Sequence, residues 1–474
     1  RHTRCSGVSW AGDVYKRQKG KSYFFIGIGG IGMSAIARYF LAEGAHVGGY
    51  DRIRSKVSTA LEEAGAEIIY EDRLELIPTK YQAPREVQVV YTPAIHEDNH
   101  IRQYYAQHGY EQVKRAVVLG QITRRQKALC VAGTHGKTTT STLLAHLLEQ
   151  SHIGANAFLG GVSQNSGSNL YLNPNSPYVV IEADEYDRSF HQLTPTHAII
   201  TSTEPDHLDI YGTPEAYREA FQIFAEKMIA GGVLLLNEKA HLDRCPEGVT
   251  LFRYGSSSQS DYWYSNVTYH NAELYFDWHY PDGCYQQLQI GTPVEINVLN
   301  ATAALALAQH LGATEEELRE GLKSFLGSRR RFERWLNEPQ HPVMIDDYAH
   351  HPDEIKASLT SIRKLYPDKE IAVVFQPHLF SRTADFMKEF AEALSVVDNV
   401  ILIPIYPARE EPIPGVTSDA LAKLVTSPLK ASVTKEGLIP ELRKHHFDVL
   451  VMMGAGDIEY LLPEVRDYLK SVVI

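Results

Sequence analysis

Residues 128–148 read Ala-Leu-Cys-Val-Ala-Gly-Thr-His-Gly-Lys-Thr-Thr-Thr-Ser-Thr-Leu-Leu-Ala-His-Leu-Leu. The apolar run from Ala128 to Ala132 predicts a buried strand, and Gly133 to Thr138 a tight turn. Leu143, Leu144, Leu147 and Leu148 recur at helical spacing, so a helix is expected just after the turn. Strand, glycine-rich turn and helix in that order make a phosphate cradle: glycines let backbone N–H groups approach an anion, and the helix N-terminus adds partial positive charge. Lys137 would reach the β- and γ-phosphates, and the Thr138 hydroxyl suits Mg²⁺. The usual P-loop pattern has its first glycine where this chain has Val131, so the loop is a shortened variant. Glycine-lysine-threonine triplets also occur by chance in loops, but the flanking strand and helix favour an ATP site.

A chain of 474 residues exceeds one ordinary core and predicts two to four domains. Its 44% hydrophobic and 22% charged residues are those of a globular protein, and its net charge of −12 argues against nucleic acid as main partner. Cys5, Cys130, Cys245 and Cys284 show neither metal-ligand spacing nor a disulfide framework, which fits a reducing compartment. No run of eighteen apolar residues suggests a membrane span. Residues 1–19 read as a non-native or disordered tail, with neither an initiator Met nor the apolar segment of a signal peptide.

Structure is expected from Gly20. Tyr23 to Ile28 reads as a strand entering Gly27-Ile28-Gly29-Gly30-Ile31-Gly32-Met33, with a helix through Leu41 and a second strand ending at Asp51. This fits the dinucleotide fingerprint, but its physics serves any nucleotide diphosphate, a UDP-sugar included. Packing alone can also demand such a glycine turn. A third strand, Val87 to Tyr91, meets Thr92-Pro93-Ala94, and residues 97–124 look polar and helical. Two such βα units imply separate α/β domains, the first over 20–124 and the second over 125–335.

Beyond the P-loop, Ser163 to Asn175 reads as irregular loop. The strand Tyr178 to Ile181 ends in Glu182-Ala183-Asp184-Glu185, and the strand Ala198 to Thr201 in Glu204-Pro205-Asp206-His207. Acidic runs are ordinarily solvated surface, and a lone histidine is often no ligand. Both nonetheless lie at strand ends, where α/β folds keep ligand groups, and a carboxylate there can complete a Mg²⁺ site. Residues 214–230 predict a helix, Val233 to Leu236 a strand, and Asp261 to Ile290 a small antiparallel sheet turning at Pro281-Asp282-Gly283. A helix from Asn297 to Leu311 carries Asn300. Gly327 to Glu333 reads as a basic linker, and 336–474 as a third α/β domain whose strands end in Asp346-Asp347-Tyr348-Ala349-His350-His351-Pro352, Gln376-Pro377-His378, Tyr406-Pro407 and Gly454-Ala455-Gly456-Asp457.

Together these motifs resemble those of the Mur ligases of bacterial cell-wall synthesis, from about residue 20 to the end, and within that family its alanine-adding branch. The motifs that carry the resemblance are Gly27 to Met33, Gly133 to Thr139, Glu182 to Glu185, Glu204 to His207, Asn297 to Ala301, Arg330 to Glu333, Asp347 to Pro352 and Phe375 to His378. The resemblance implies three domains: a Rossmann-like UDP-binding domain, a central P-loop ATPase-type domain with a small antiparallel sheet, and a Rossmann-like C-terminal domain. It implies a cytoplasmic bacterial ADP-forming amide ligase, monomer or homodimer, acting on UDP-N-acetylmuramate, L-alanine and ATP through an acyl phosphate.

By the same carry-over, Gly29, Gly30, Ile31, Gly32, Asp51, Thr92 and Pro93 would bind the UDP substrate. Gly133, Thr134, His135, Gly136, Lys137, Thr138, Thr139, Asn300, Arg331 and Asp347 would bind ATP. Thr138 with Glu182, and His207 with Glu182 shared, would hold two Mg²⁺ ions, for which Mn²⁺ could substitute. Tyr348, His350, His378 and Arg382 would face the amino acid and muramoyl carboxylate. Lys137, Glu182, His207, His350 and Arg382 form the implied catalytic set.

Three positions depart from family habit. Ile296 stands where His is frequent, and Leu379 where an arginine follows Gln-Pro-His. Phe221 stands where later-acting relatives carry a carbamylated lysine, which agrees with the alanine-adding branch. The alternatives are a ligase that recycles whole peptides onto UDP-N-acetylmuramate, an NAD-dependent oxidoreductase suggested by the fingerprint and Asp51, and a binding-only regulator. The oxidoreductase leaves the P-loop, Glu182 and His207 unexplained. The first-loop form favours the alanine-adding branch over the recycling enzyme, and the intact Lys137, Thr138, Glu182 and His207 argue against a regulator.

Overall fold

The computed structural model describes residues 20–92 and 95–472. They form a mixed α/β fold with three sheets. The first sheet has strands β1 (Ser22–Ile26), β2 (His46–Tyr50), β3 (Glu67–Ile69), β4 (Val87–Tyr91) and β5 (Gln112–Lys114), in the order β3-β2-β1-β4-β5 and all parallel. The chain reverses direction of travel at β1, whose last residue Ile26 lies opposite both Tyr50 and Tyr91. The glycine loop after β1 therefore opens into the crevice at the switch point of the sheet. Residues 97–124, expected to be helical, divide into helices His100–Gln107 and Arg115–Thr123 around β5. Three residues are too few for a strand period to register in sequence, yet Val113 packs against the core and fixes the edge.

The second sheet starts with β6 (Lys127–Ala132), β7 (Asn156–Phe158), β8 (Leu170–Tyr171), β9 (Tyr178–Glu182), β10 (His197–Ile200), β11 (Val233–Asn237) and β12 (Thr250–Gly255). Their order is β12-β11-β10-β6-β9-β7-β8, parallel except for β8. The short β8 lies inside the stretch expected to be wholly irregular. The P-loop strand β6 is central, with Val131 opposite Glu182 of β9 and Ala132 opposite Ile200 of β10. Three strands thus end side by side beneath one turn. β6 is buried from Ala128 to Ala132, which explains its unbroken apolar run.

Strands β13 (Tyr262–His270), β14 (Glu273–Tyr280) and β15 (Gly283–Ile290) are neighbours in chain order. Asn271 and Ala272, with φ of 52° and 59°, form the two-residue turn between β13 and β14. Consecutive left-handed residues match the twist of a tight hairpin, while the turn expected at Pro281-Asp282-Gly283 falls at the junction of β14 and β15.

The third sheet comprises β16 (Glu333–Leu336), β17 (Val343–Asp347), β18 (Ile371–Phe375), β19 (Asn399–Leu402), β20 (Leu429–Ser432) and β21 (Val449–Met453), ordered β16-β17-β21-β18-β19-β20. Only β16 is antiparallel. Ile345, Val373, Phe375, Val449 and Val451 enter one core, while Met344, Ala372, Val374, Leu450 and Met452 enter another. Both faces are covered, so these strands read as continuous apolar runs.

The chain divides into two compact units. One contains residues up to Trp263, His279–Gly283 and Asn300–Gly321; the other contains Tyr264–Trp278, Cys284–Leu299 and everything from Leu322. No helix among the described residues is long and apolar enough to cross a membrane.

The first unit carries two buried neutral histidines. Burial lowers the pKa of both His146, on the helix after the P-loop, and His197, at the start of β10, to about 4. Unfolding exposes them to water, where they regain an ordinary pKa, so between about pH 6.5 and 4 the unfolded chain binds more protons. Stability contributed by each neutral ring is present above that window and is lost as pH falls through it, by on the order of 1 kcal/mol per pH unit per histidine. Thermal melts at pH 7, 6 and 5 are expected to show the first unit's transition moving down, and His197→Gln is expected to flatten that slope.

Candidate active site

The turn after β6 begins with Gly133 at φ 139° and closes at Gly136 at φ 82°, backbone that side-chain-bearing residues rarely adopt. A Cβ on Gly136 would also lie 2.7 Å from Asn300 Oδ1. The helix Lys137–Glu149 follows directly, as expected. Asn300 accepts a hydrogen bond from Thr140 Oγ1 at 3.2 Å, which sets this residue of the helix Ile296–His310 against the phosphate loop. Thr134 Oγ1 donates to Glu204 O at 2.6 Å, and His135 stays exposed with Nε2 3.9 Å from Glu204.

Lys137 does not extend into solvent. Its Nζ donates to Gly133 O at 2.6 Å, to Thr134 O at 3.2 Å and to Glu185 Oε1 at 2.9 Å. Thr138 Oγ1 donates to Glu182 Oε1 at 3.0 Å, and Gly160 N to Glu182 Oε2 at 3.0 Å. A hydroxyl and a carboxylate at the lip of a phosphate cradle are the oxygen donors Mg²⁺ prefers. No three His, Cys, Asp or Glu side chains converge as a metal cluster among the described residues. A cation here would complete its shell with water and phosphate oxygens, as Mg²⁺ commonly does. His207, at φ 52° before a short helix, places Nε2 3.8 Å from Glu185 Oε1 and 3.9 Å from Asp206 Oδ2. The carboxylate facing His207 is therefore Glu185.

Glu185 is the residue sequence reading left without a role. Its side chain is 2% exposed, and burial raises its pKa although Lys137 opposes the shift. The sequence marked an acidic run but carried no signal for which carboxylate turns inward. Arg115 was also missed. It begins the helix leading toward β6, its guanidinium occupies the space a Cβ on Gly32 would need, and it lies 3.7 Å from Asp184.

At the first glycine loop, Asp51 Oδ2 accepts from Gly29 N at 2.8 Å and Asp51 Oδ1 from Ile53 N at 3.1 Å. A Cβ on Gly27 would meet Thr92 Cγ2 at 2.9 Å. Asn169 Nδ2 donates to Ile31 O at 2.6 Å, and Gly30 caps the helix Ile31–Ala42. Gly29, Gly30, Ile31, Gly32, Asp51 and Thr92 thus share one strand-end crevice. Pro93 lies outside the described residues.

The second unit gathers the remaining candidates. Tyr348 and His350 rings are 5.2 Å apart, and those of His350 and His378 6.1 Å. Burial lowers the pKa of both histidines, and Arg382 lowers each further. His350 Nδ1 lies 3.0 Å from Tyr348 O. A carbonyl only accepts, so the neutral ring carries its proton on Nδ1 and leaves Nε2 as a base. His378 Nδ1 and Arg382 Nη1 are buried with no hydrogen-bond partner. Asp347 accepts from Ala349 N at 2.9 Å and Ser358 Oγ at 2.8 Å, and exposed Arg331 lies within its electrostatic reach. The basic stretch is not simply solvated: Arg330 Nε pairs with buried Asp346 at 3.3 Å. Of the departures, Phe221 is fully buried against Phe190 and Tyr217, Ile296 is exposed, and Leu379 takes φ 71° ahead of a short helix.

Profiles of the Mur ligase family match three successive segments: the family's catalytic domain over residues 22–127, its middle domain over 131–308, and its glutamate ligase domain over 330–457. The chain belongs to the Mur ligase family. A UDP-N-acetylmuramate–L-alanine ligase of Porphyromonas gingivalis is 51% identical over 95% of this chain and 100% of its own. One from Phocaeicola vulgatus is 49% identical over 95% and 98%. The crystal structure of the UDP-N-acetylmuramate-alanine ligase of Thermotoga maritima superposes with a TM-score of 0.77 at 28% identity, covering 95% of this chain and all of that one. A murein peptide ligase from Psychrobacter arcticus shares the fold, with a TM-score of 0.64 at 23% identity over 96% of this chain and all of its own. The three sheets, the P-loop in the middle segment and the overall α/β class are those of a Mur ligase.

Proposed function

We propose that this Mur ligase joins L-alanine to the muramoyl carboxylate of UDP-N-acetylmuramate in peptidoglycan-precursor synthesis, in the cytoplasm, cleaving ATP to ADP and phosphate. The observation that carries the reading is a phosphate cradle with Lys137 and the Thr138–Glu182 pair, in a chain 51% identical over its length to a ligase of that name. The muramoyl carboxylate oxygen attacks the γ-phosphorus and ADP leaves. The L-alanine amine then attacks the acyl carbon, and the tetrahedral intermediate collapses to amide and phosphate.

The loop from Gly133 to Thr139 and Asn300 hold the nucleotide, and Lys137 neutralises charge on the phosphoryl group in transfer. Thr138 with Glu182, and His207 facing Glu185, would hold Mg²⁺, which supplies charge neutralisation at the phosphates when bound. Gly29, Gly30, Ile31, Gly32, Asp51 and Thr92 seat the UDP moiety. Arg331 and Asp347 are the further residues that the family resemblance assigns to the nucleotide. Tyr348, His378 and Arg382 receive the amino acid and muramoyl carboxylates, and His350 Nε2 takes a proton from the L-alanine ammonium. Its lowered pKa keeps the ring neutral for that step.

The test is phosphate release from ATP and Mg²⁺ with UDP-N-acetylmuramate, with and without L-alanine. Release requiring both substrates is expected. Release with a tripeptide but not with L-alanine would move the assignment to peptide recycling, and nucleotide binding without release under any condition would overturn catalysis altogether.

A further inference from the structure

The buried acid Glu185 is absorbed by none of the roles above, yet it touches two groups that matter. Its carboxylate lies 2.8 Å from Lys137 Nζ through Oε2 and 3.8 Å from His207 Nε2 through Oε1. Its backbone is pinned as well, since Tyr211 Oη donates to Glu185 O and the ion pair of Lys114 with Asp187 ties the loop just beyond it to the start of one helix. Asp187 and Arg188 hold left-handed φ values of 51° and 53° just beyond it. Packing thus fixes the carboxylate between the lysine and the histidine.

We infer that Glu185 is a positioning residue that parks Lys137 on the loop carbonyls and orients the His207 ring. Lys137 is held by Glu185 and the carbonyls of Gly133 and Thr134, so a phosphate must compete with them for the ammonium. Once Lys137 turns to the phosphates, Glu185 remains facing His207 Nε2. A carboxylate opposite one ring nitrogen favours the N–H there and leaves the other nitrogen as the lone pair, which is how outer carboxylates orient histidines that serve metals. Glu185 therefore opposes nucleotide binding without metal and favours productive binding with it. This rests on the ATP site proposed above.

The experiment is nucleotide affinity by calorimetry with ADP, with and without Mg²⁺, in wild type, Glu185→Gln, Glu185→Asp and Asp184→Asn. Glu185→Gln keeps the volume and removes the charge. It is expected to bind ADP about tenfold more tightly without Mg²⁺, having lost an ionic competitor for Lys137, while requiring about tenfold more Mg²⁺ for turnover. Glu185→Asp is expected to restore part of the metal response. Asp184→Asn, the same charge change next door on a more exposed residue, is expected to leave metal-free affinity within about twofold of wild type. Equal or weaker metal-free affinity in Glu185→Gln, in protein whose melt matches wild type, would overturn the inference, as would equal tightening in Asp184→Asn. If Glu185→Gln does not fold, Glu185→Asp carries the same comparison, with a smaller tightening expected and none overturning it. Failure of wild type to bind ADP would instead overturn the ATP-site reading.

Discussion

Lys137→Ala is expected to lower phosphate release by about 10³-fold, the loss typical of deleting a charge aimed at a transferring phosphoryl group. It should also destabilise the protein, a consequence the chemistry alone does not predict. Glu185 is 2% exposed and Lys137 is the cation beside it. Removing one partner of a buried pair leaves the other charge desolvated, at a cost of about 3–5 kcal/mol, partly relieved if the acid takes a proton. Burial already raises the Glu185 pKa against the pull of Lys137, so without that lysine the carboxyl should be protonated at higher pH still. Lys137→Ala should therefore melt lower than wild type, and by more as pH rises. Adding Glu185→Gln should recover much of that stability and none of the activity. If Lys137→Ala melted like wild type at pH 8, the buried pair would not be a stabilising feature of the fold.

The parts legible in sequence are those with local periodicity or a glycine requirement. The β6–turn–helix unit was readable because Gly133 and Gly136 occupy backbone regions closed to other residues and because leucines mark the helix face. The third domain's sheet was readable because strands covered on both faces become unbroken apolar runs. The three-residue β5 and two-residue β8 were not, since their pairing partners lie far away in sequence and supply the decisive energy. At the site, the sequence located the acidic run but not its division of labour. Glu182 ends a strand and receives Thr138 and Gly160, whereas Glu185 turns inward to Lys137; only the path of the loop separates them. Arg115 was invisible for a similar reason: it reaches the first glycine loop from a helix more than eighty residues away. The arginine run 329–331 was read as one feature, but its members diverge. Arg331 is exposed, while Arg330 is drawn in by a left-handed φ of 60° and by Asp346.

Arg330→Met is expected to lower the melting temperature of the second unit by about 10 °C, from a loss of about 3–5 kcal/mol. Asp346 has no exposed side-chain surface, and burial lifts its pKa to about 7 even with Arg330 beside it. Arg330 also donates to Gly454 O at 2.6 Å and Gly456 O at 3.4 Å, so it joins the carboxyl ends of β17 and β21. The pH dependence has the opposite sign to that of the buried histidines. Between about pH 4 and 7 folded Asp346 holds a proton that the unfolded chain has released, so stability falls as pH rises through that window. Asp346→Asn should remove that slope, whereas Arg330→Met should push the Asp346 pKa higher and extend the slope above pH 7. Arg330 has a second role that stability does not report: its guanidinium lies 5.2 Å over the Tyr348 ring, within cation–π range. Replacing both partners, as Arg330→Met with Asp346→Leu, removes the stranded charge and should restore most of the melting temperature. It should not restore Tyr348. KM for L-alanine is therefore expected to stay raised severalfold in the double variant at temperatures where both units are folded; a double variant with wild-type KM would confine Arg330 to holding the sheet.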